Sequence, residues 1–278
     1  WRDVEHQKDT IRNLIGMCLN GNADDWHREY GNFDWLVEQL TDAFAPCGFR
    51  PETFCPAYGL AEHAVGVTIN SLKSLPQVLN VHRTELESDG EVVTNSSEDD
   101  AEATRLKQLV GSGTAWNETD VRIVLLDEDG NPLSMAPNDR VGEIWVSSLS
   151  KTLGYHKLPD ITQEVFHARL PGTDPASAEG SKEYLRTGDL GFISSENGEL
   201  FVCGRNKDMI IIAGKNHYSE DMELNISEAL AGYLRPGCIA AFAVENQDKG
   251  EEELHIVAEA VNANIELESC FQRIHENH

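Results

Sequence analysis

The most informative part of the sequence is the stretch EYLRTGDLGFI, residues 183–193. It places two glycines, an aspartate and a threonine within five residues, between two runs of apolar residues. A simple turn between strands needs about one glycine and one aspartate. The excess of turn residues therefore indicates a turn that also presents a functional group, and Asp189 is the candidate for that group.

The charge of the chain restricts its partners. The 278 residues carry a formal net charge of −26. Non-specific binding to nucleic acids or to anionic membranes requires a basic face, so neither partner is expected. The simplest interpretation of the charge is a solvated acidic surface.

No segment predicts a membrane span or a signal peptide. The longest apolar runs, such as MIIIAG from Met209, are far shorter than the roughly 20 residues that a membrane helix needs. The six cysteines form no CxxC pair, which favours reduced thiols and a cytoplasmic location. The chain starts at Trp1 and ends in a helix-like pattern, so it is expected to be a piece of a longer protein.

Three regions have distinct patterns. An amphipathic helix is predicted to start at Asp34, which can cap WLVEQLTDAF. Residues 121–204 predict a β-rich unit that ends in a hairpin with its turn at Glu-Asn-Gly. From Arg205 onward a strand, a helix capped by Ser219 and two more strands predict a small α+β domain.

Residues 71–110 are polar and only weakly patterned. Three interpretations stay open for this segment: an insertion, a mobile loop or a plain surface connection.

Three segments in this order resemble the adenylate-forming superfamily of acyl-CoA synthetases, luciferases and adenylation domains. The finer resemblance is to the fatty acyl-AMP ligases, and it covers nearly the whole chain from about Asp34. The segments are PAYGLAE (56–62), YLRTGDLGF (184–192) and LFVCGRNKDMIIIAGKNHYSEDME (200–223).

The resemblance implies an α/β multidomain architecture. Residues 1–70 would be the end of the large αβ N-terminal domain that binds AMP. Residues 71–204 would hold an insertion and a distorted β-barrel subdomain. Residues 205–278 would be the start of a truncated, small α+β C-terminal domain that follows a hinge.

The resemblance also assigns nucleotide-binding residues in the first two segments. Asp189 would hold the ribose hydroxyls, since an ionised carboxylate accepts two hydrogen bonds from a vicinal diol. The aromatic ring of Tyr58 would lie against the nucleotide, and Gly59 would let the backbone approach it. Glu62 would help to hold Mg²⁺ at the phosphates, because a hard cation prefers carboxylate oxygen.

Further assignments follow from the flanking segments. Arg205 would contact the ribose or a phosphate. Lys207 stands where the family has the hinge about which the small domain rotates. CLNGNADDW resembles the start of an adenine-binding segment, so Asn20 and Gly21 are weaker nucleotide-binding candidates.

The activity implied by the resemblance uses ATP and Mg²⁺. A fatty acid and ATP would give an acyl-adenylate and pyrophosphate, and the acyl group would pass to the phosphopantetheine thiol of an acyl carrier protein. The family's phosphate loop and its terminal catalytic lysine have no match here, so no catalytic residue is assigned and the chain alone is expected to be inactive. Two alternatives stay open: an acyl-CoA synthetase, or a non-catalytic module that binds an adenylate or a lipid.

Overall fold

The computed structural model describes residues 33–71, 73–94, 106–127, 129–212, 215–246 and 251–261. The fold is mixed α/β, and most of its regular structure is antiparallel sheet. Within the described residues, no helix combines the length and the apolar character that crossing a membrane requires.

The first described part is a helix followed by a β-hairpin. Helix α1 spans Phe33–Phe44, as predicted, but it begins before Asp34, which lies in its first turn. Strand β1 (Ala57–Leu60) pairs antiparallel with β2 (Val65–Ile69). Gly59 lies within β1, and a 3₁₀ turn at Ala61–His63 reverses the chain.

Gly59 is required by the packing of this hairpin. A Cβ atom built on it would lie 1.5 Å from the backbone oxygen of Val65 on the facing strand. Only glycine permits the two backbones to approach this closely.

The described residues of the segment after the hairpin form two antiparallel strands and a helix, so this part of residues 71–110 is not a plain surface connection. Three of its residues, Val81, Leu86 and Leu109, are buried. They belong to the same core cluster as Leu190 and Phe192, which lie in the β-rich unit. Its elements are β3 (Val78–His82), α2 (Arg83–Ser88) and β4 (Leu106–Val110), with β3 and β4 antiparallel.

The strands of the β-rich unit are β6 (Asp120–Leu126), β7 (Pro132–Met135), β8 (Gly142–Ser147), β9 (Leu185–Ile193) and β10 (Leu200–Arg205); the short strand β5 (Thr114–Ala115) pairs with β2, and helix α3 spans Pro159–Phe166. The five strands β6 to β10 form one antiparallel sheet, the main sheet, in the order β10-β9-β8-β6-β7. Every residue of the central strand β8 is buried, because one face packs in a cluster around Ile144 and the other in a cluster around Trp145.

The expected distorted β-barrel is wrong for the described residues, because this sheet is open. Strand β7 has four residues, all exposed, and lies at one edge. At the other edge, the amide of Ser112 donates to the oxygen of Leu200 at 2.8 Å, and the amide of Leu200 donates to the oxygen of Gly113 at 2.8 Å. The outer side of β10 therefore pairs with residues 111–113 instead of closing the sheet onto β7.

The C-terminal part contains the predicted helix and two long strands, together with a strand that the sequence pattern did not predict. The elements are β11 (Met209–Ile212), the unpredicted β12 (Lys215–Tyr218), α4 (Ser219–Ala229), β13 (Leu234–Asn246) and β14 (Glu251–Ala260). Helix α4 packs against β13, where Glu223 Oε1 accepts a hydrogen bond from the amide of Ala241 at 3.0 Å.

A buried lysine joins the β3-α2-β4 unit to the C-terminal part. The ammonium group of Lys107 on β4 lies 4.4 Å from the ring centre of Tyr218 and 3.1 Å from Asp221 Oδ2. Arg83 lies 3.4 Å from the same oxygen. The Lys107 side chain is only 6% exposed, so its ion pair with Asp221 is shielded from water.

We expect the substitution Asp221→Ala to destabilise the chain by about 3 kcal/mol, because removing one partner of a buried ion pair leaves a poorly solvated charge. Urea unfolding of the two proteins measures the difference. The control is Glu91→Ala, which removes the partner of Arg140 in a pair whose glutamate is 61% exposed. That loss is expected to be below about 1 kcal/mol, and equal losses in both variants would contradict the prediction.

Candidate functional site

Residues 186–190 form a bulge within strand β9, and not the turn that the sequence predicts. Trp145 pairs with Arg186 and Glu143 pairs with Leu190, so four residue steps on β9 face two steps on β8. Gly188 has a φ of 74°, a conformation that favours glycine. A bulge bends the strand and redirects a side chain without ending the sheet.

The side chain of Thr187 fixes the bulge locally. Its hydroxyl donates to the oxygen of Ile144 on β8 at 2.7 Å. The same hydroxyl accepts a hydrogen bond from the amide of Asp189 at 3.0 Å. The backbone of Asp189 is therefore fixed through the Thr187 hydroxyl to strand β8.

The carboxylate of Asp189 is the meeting point of three strands. Tyr58 on β1 donates its hydroxyl to Oδ2 at 2.6 Å, and Arg205 at the end of β10 donates its Nε to Oδ1 at 3.0 Å. Asp189 is 7% exposed, whereas the Arg205 side chain is 68% exposed. The structure thus brings together three of the residues that the sequence assigned to one site.

Burial governs the electrostatics of this cluster. It raises the pKa of the Asp189 carboxyl above its usual value, while the hydrogen bonds and charge from Tyr58 and Arg205 oppose that rise. Burial, and then the Asp189 charge, raise the pKa of the Tyr58 hydroxyl well above its usual value, so Tyr58 is a proton donor at neutral pH.

The ring of Tyr58 packs in the hydrophobic core and its hydroxyl reaches the site. The side chain is 5% exposed and shares a cluster with Val67, Ile144 and Leu200. Tyr58 therefore anchors Asp189 to the core of the protein, a role that sequence reasoning did not assign to it.

Glu62 is held by the loop that follows β8. The hydroxyl of Tyr155 donates to Glu62 Oε1 at 2.8 Å, and the amide of Thr152 donates to the backbone oxygen of Glu62 at 2.8 Å. Burial, and then the hydrogen bond to Glu62, raise the pKa of Tyr155 to about 12. Tyr155 lies 93 residues from Glu62 and no local spacing connects the two, so its role could not be predicted from the sequence.

The neighbouring His63 also joins the turn at Ala61–His63 to the loop after β8. Its ring is buried, with Nδ1 2.9 Å from the oxygen of Gly66 and Nε2 2.6 Å from the hydroxyl of Ser148. His63 therefore fastens the turn that carries Glu62 to the end of β8.

Glu62 fits a magnesium site only as a single ligand. Its carboxylate is half-buried and supplies the oxygen that this cation prefers. The described residues contain no group of three or more His, Cys, Asp or Glu side chains that could hold a metal ion. Mg²⁺ bound here would complete its coordination with phosphate oxygens and water, as is usual for this ion.

The remaining candidates lie elsewhere. Lys207 occupies the 3₁₀ turn Asn206–Asp208, which connects β10 directly to β11. Asn20 and Gly21 lie outside the described residues.

Comparison with known proteins identifies relatives. No protein-family model matches the chain. The medium-chain-fatty-acid–[acyl-carrier-protein] ligase JamA of Moorena producens is 37% identical over 225 residues, which are 80% of this chain and 35% of that protein. The long-chain-fatty-acid–AMP ligase FadD32 of Mycolicibacterium smegmatis is 34% identical over 212 residues, 75% of this chain and 32% of that protein.

The chain is related to the fatty acid–AMP ligases. Solved structures agree with this relationship. A structure from a study of fatty acyl-adenylate ligases of E. coli and L. pneumophila has a TM-score of 0.63 at 29% identity, over 86% of this chain and 38% of that chain. The L. pneumophila fatty acyl-adenylate ligase in complex with acyl adenylate and pyrophosphate has a TM-score of 0.53 at 33% identity, over 89% of this chain and 39% of that chain.

The relationship confirms the resemblance that the three motifs predict. The chain spans about a third of the length of these relatives, 35% of JamA and 32% of FadD32.

A double-mutant cycle tests the link between Tyr58 and Asp189. We expect Tyr58→Phe to cost more stability in the wild-type chain than in an Asp189→Ala background, because only the former has the charged acceptor. The coupling energy is expected to be about 1.5–3 kcal/mol, the range for a hydrogen bond to a charged group. Urea denaturation of the four proteins gives this value, and a coupling near zero would show that the hydrogen bond does not stabilise the site.

Proposed function

We propose that this chain forms the nucleotide side of the active site of a cytoplasmic fatty acid–AMP ligase. The complete protein would convert a fatty acid and ATP to an acyl-adenylate and pyrophosphate. The observation that carries the proposal is the buried Asp189 carboxylate, held by Tyr58 and Arg205 in the second of three motifs typical of adenylate-forming enzymes.

Asp189 is suited to bind the ribose of the nucleotide. A carboxylate offers about four lone-pair sites, and the two donors from the protein use one site on each oxygen. Each oxygen can then accept one hydroxyl of the ribose diol. Because Tyr58 and Arg205 already fix the carboxylate, little reorganisation is required when the nucleotide binds.

Arg205 supplies positive charge at the open side of this site. Its Nε is committed to Asp189, and its exposed guanidinium retains donors for the ribose or for a phosphate. Glu62, four residues after Tyr58 in the sequence, would hold Mg²⁺, and the hydrogen bond from Tyr155 would fix the orientation of its carboxylate. When bound, Mg²⁺ would neutralise charge that develops on the phosphates.

Lys207 is proposed as the hinge between residues 71–204 and 205–278. A single 3₁₀ turn separates the last strand of the main sheet from the first strand of the C-terminal part. A hinge requires only a few residues at the end of an element, and this turn meets that requirement. Residues 1–70 would then complete the large AMP-binding domain.

The proposed acyl acceptor is the phosphopantetheine thiol of an acyl carrier protein. The relative JamA is named as a ligase for an acyl carrier protein, whereas fadD21 of Mycobacterium leprae, 37% identical over 196 residues, is named as a putative fatty-acid–CoA ligase. The β3-α2-β4 unit, which we propose as the insertion that separates AMP ligases from CoA synthetases, favours the carrier protein.

Calorimetric titration with a dodecanoyl-sulfamoyl-adenosine, a non-hydrolysable analogue of an acyl-adenylate, tests the proposed site. We expect the wild-type chain to bind and Asp189→Ala to lose at least about tenfold in affinity, since each charge-assisted hydrogen bond contributes about 1.5–3 kcal/mol. In the complete protein, the same substitution is expected to abolish pyrophosphate exchange while the fold is retained.

The matched control is Asp129→Ala, which removes an exposed aspartate from the turn before β7. It should bind the analogue like the wild type. Equal affinity in Asp189→Ala and the wild type would refute the ribose role of Asp189, and normal pyrophosphate exchange in Asp189→Ala would refute its part in adenylation.

A further inference from the structure

A second buried carboxylate lies directly across from the bulge in β9. Glu143 on β8 is 3% exposed, and its carboxylate accepts three hydrogen bonds. The donors to Oε2 are Trp145 Nε1 at 2.8 Å and Arg186 Nε at 3.0 Å. The donor to Oε1 is the backbone amide of Gly188 at 3.1 Å, one residue before Asp189.

The two donors to Oε2 fix the orientation of Glu143. Arg186 is itself restrained, since its Nη2 donates to the oxygen of Gly130 at 3.0 Å and its guanidinium lies 5.7 Å from the ring centre of Trp145. The Arg186 side chain is only 18% exposed. Oε1 of Glu143 therefore points at the bulge from a rigid support.

The bond to Gly188 satisfies an amide that regular strand pairing does not reach. Gly188 lies between the ladder pairs at Arg186 and Leu190, where the bulge interrupts the β8–β9 register. Gly188 is partly buried, and an amide that is shielded from water and has no acceptor is costly, so the carboxylate of Glu143 favours this backbone conformation.

A buried ion pair is weak evidence for stability, because the cost of desolvating two charges offsets most of their attraction. Well-packed apolar residues could fill the same volume. Apolar residues could not accept a hydrogen bond from the Gly188 amide. The contribution that only Glu143 makes is therefore this hydrogen bond, which holds the bulge in place.

We propose that Glu143 is a positioning residue for the nucleotide site: it holds the bulge at Gly188 so that Asp189 presents both carboxylate oxygens to the ribose hydroxyls. This inference rests on the proposed function, since it requires that Asp189 binds the ribose. Glu143 touches no substrate and acts through the backbone of Gly188.

The test compares two ligands in two variants. The ligands are dodecanoyl-sulfamoyl-adenosine and its 2′,3′-dideoxy counterpart, which lacks the ribose hydroxyls. Glu143→Gln replaces one acceptor oxygen by an amide that must face either the Gly188 amide or the Arg186 and Trp145 donors. Glu164→Gln is the matched control, because Glu164 lies 3.9 Å from the same arginine but is 71% exposed.

The expected result is a specific loss of preference for the ribose hydroxyls. Wild type and Glu164→Gln should bind the ribose ligand at least about tenfold more tightly than the dideoxy ligand, as two hydrogen bonds to a carboxylate imply. In Glu143→Gln the ratio should fall towards one while the affinity for the dideoxy ligand stays unchanged. A merely structural role would weaken both ligands equally and leave the ratio intact.

The outcomes separate the two proposals. If the wild type does not distinguish the ligands, the ribose role of Asp189 is wrong and this inference falls with it. If the wild type distinguishes them and Glu143→Gln does so to the same degree, only the positioning role is overturned. Should Glu143→Gln fail to fold, Glu143→Asp replaces it: the shorter carboxylate keeps its charge but does not span Arg186 and Gly188, and an unchanged ratio in that variant would overturn the role of Glu143.

Discussion

The pairing of β8 with β9 is the constraint on which the site depends. Strand β9 must continue across the sheet, because Leu190 and Phe192 belong to the core beyond the bulge. It must also depart from regular pairing over residues 186–190 to turn Asp189 towards Tyr58 and Arg205. The bulge satisfies both demands, since it adds two residues on one strand and restores the register afterwards.

The position of Asp189 has an energetic cost. Burial raises the pKa of its carboxyl group above the value in the unfolded chain, so the protonated form favours folding. That contribution to stability is present below the unfolded pKa and is lost as the pH rises through the folded pKa. The ionised form of the carboxylate therefore lowers the stability of the fold. The donors Tyr58 and Arg205 reduce this cost, and hydroxyl groups of a bound nucleotide would reduce it further.

The local sequence pattern predicted most of the helices and strands of this fold, but it did not predict a short edge strand. Helix α1, the β9–β10 hairpin, α4 and the two last strands follow from apolar periodicity and turn residues, which act over a few positions. The edge strand β7 was not predicted, although Leu133 and Met135 alternate with Ser134. Its four residues are all exposed and begin with Pro132 directly after a turn, so the pattern is too short to distinguish a strand from the end of that turn.

The same distinction applies to the site. Gly188 and Asp189 in the TGD stretch correctly indicated an unusual backbone, but positive φ occurs in turns and in bulges alike, and only the pairing with β8 decides between them. The hydrogen bond from Tyr58 to Asp189 joins residues 131 positions apart. Family resemblance placed both residues in one site, whereas the packing of the Tyr58 ring in the core depends on tertiary contacts that no local spacing encodes.

The β3-α2-β4 unit bears on how the proposed hinge at Lys207 would work. Tyr218, eleven positions beyond Lys207, is 3% exposed and belongs to the core cluster that includes Val81 and Leu109. A rotation of the C-terminal part about Lys207 would have to withdraw this ring and separate Lys107 from Asp221. Withdrawing one large apolar side chain costs about 1.5–3 kcal/mol, and separating the buried ion pair adds to that cost. The arrangement in this structure is thus held by contacts outside the nucleotide site, and a domain rotation would need differential binding of substrate or carrier protein to the rotated state in order to offset them.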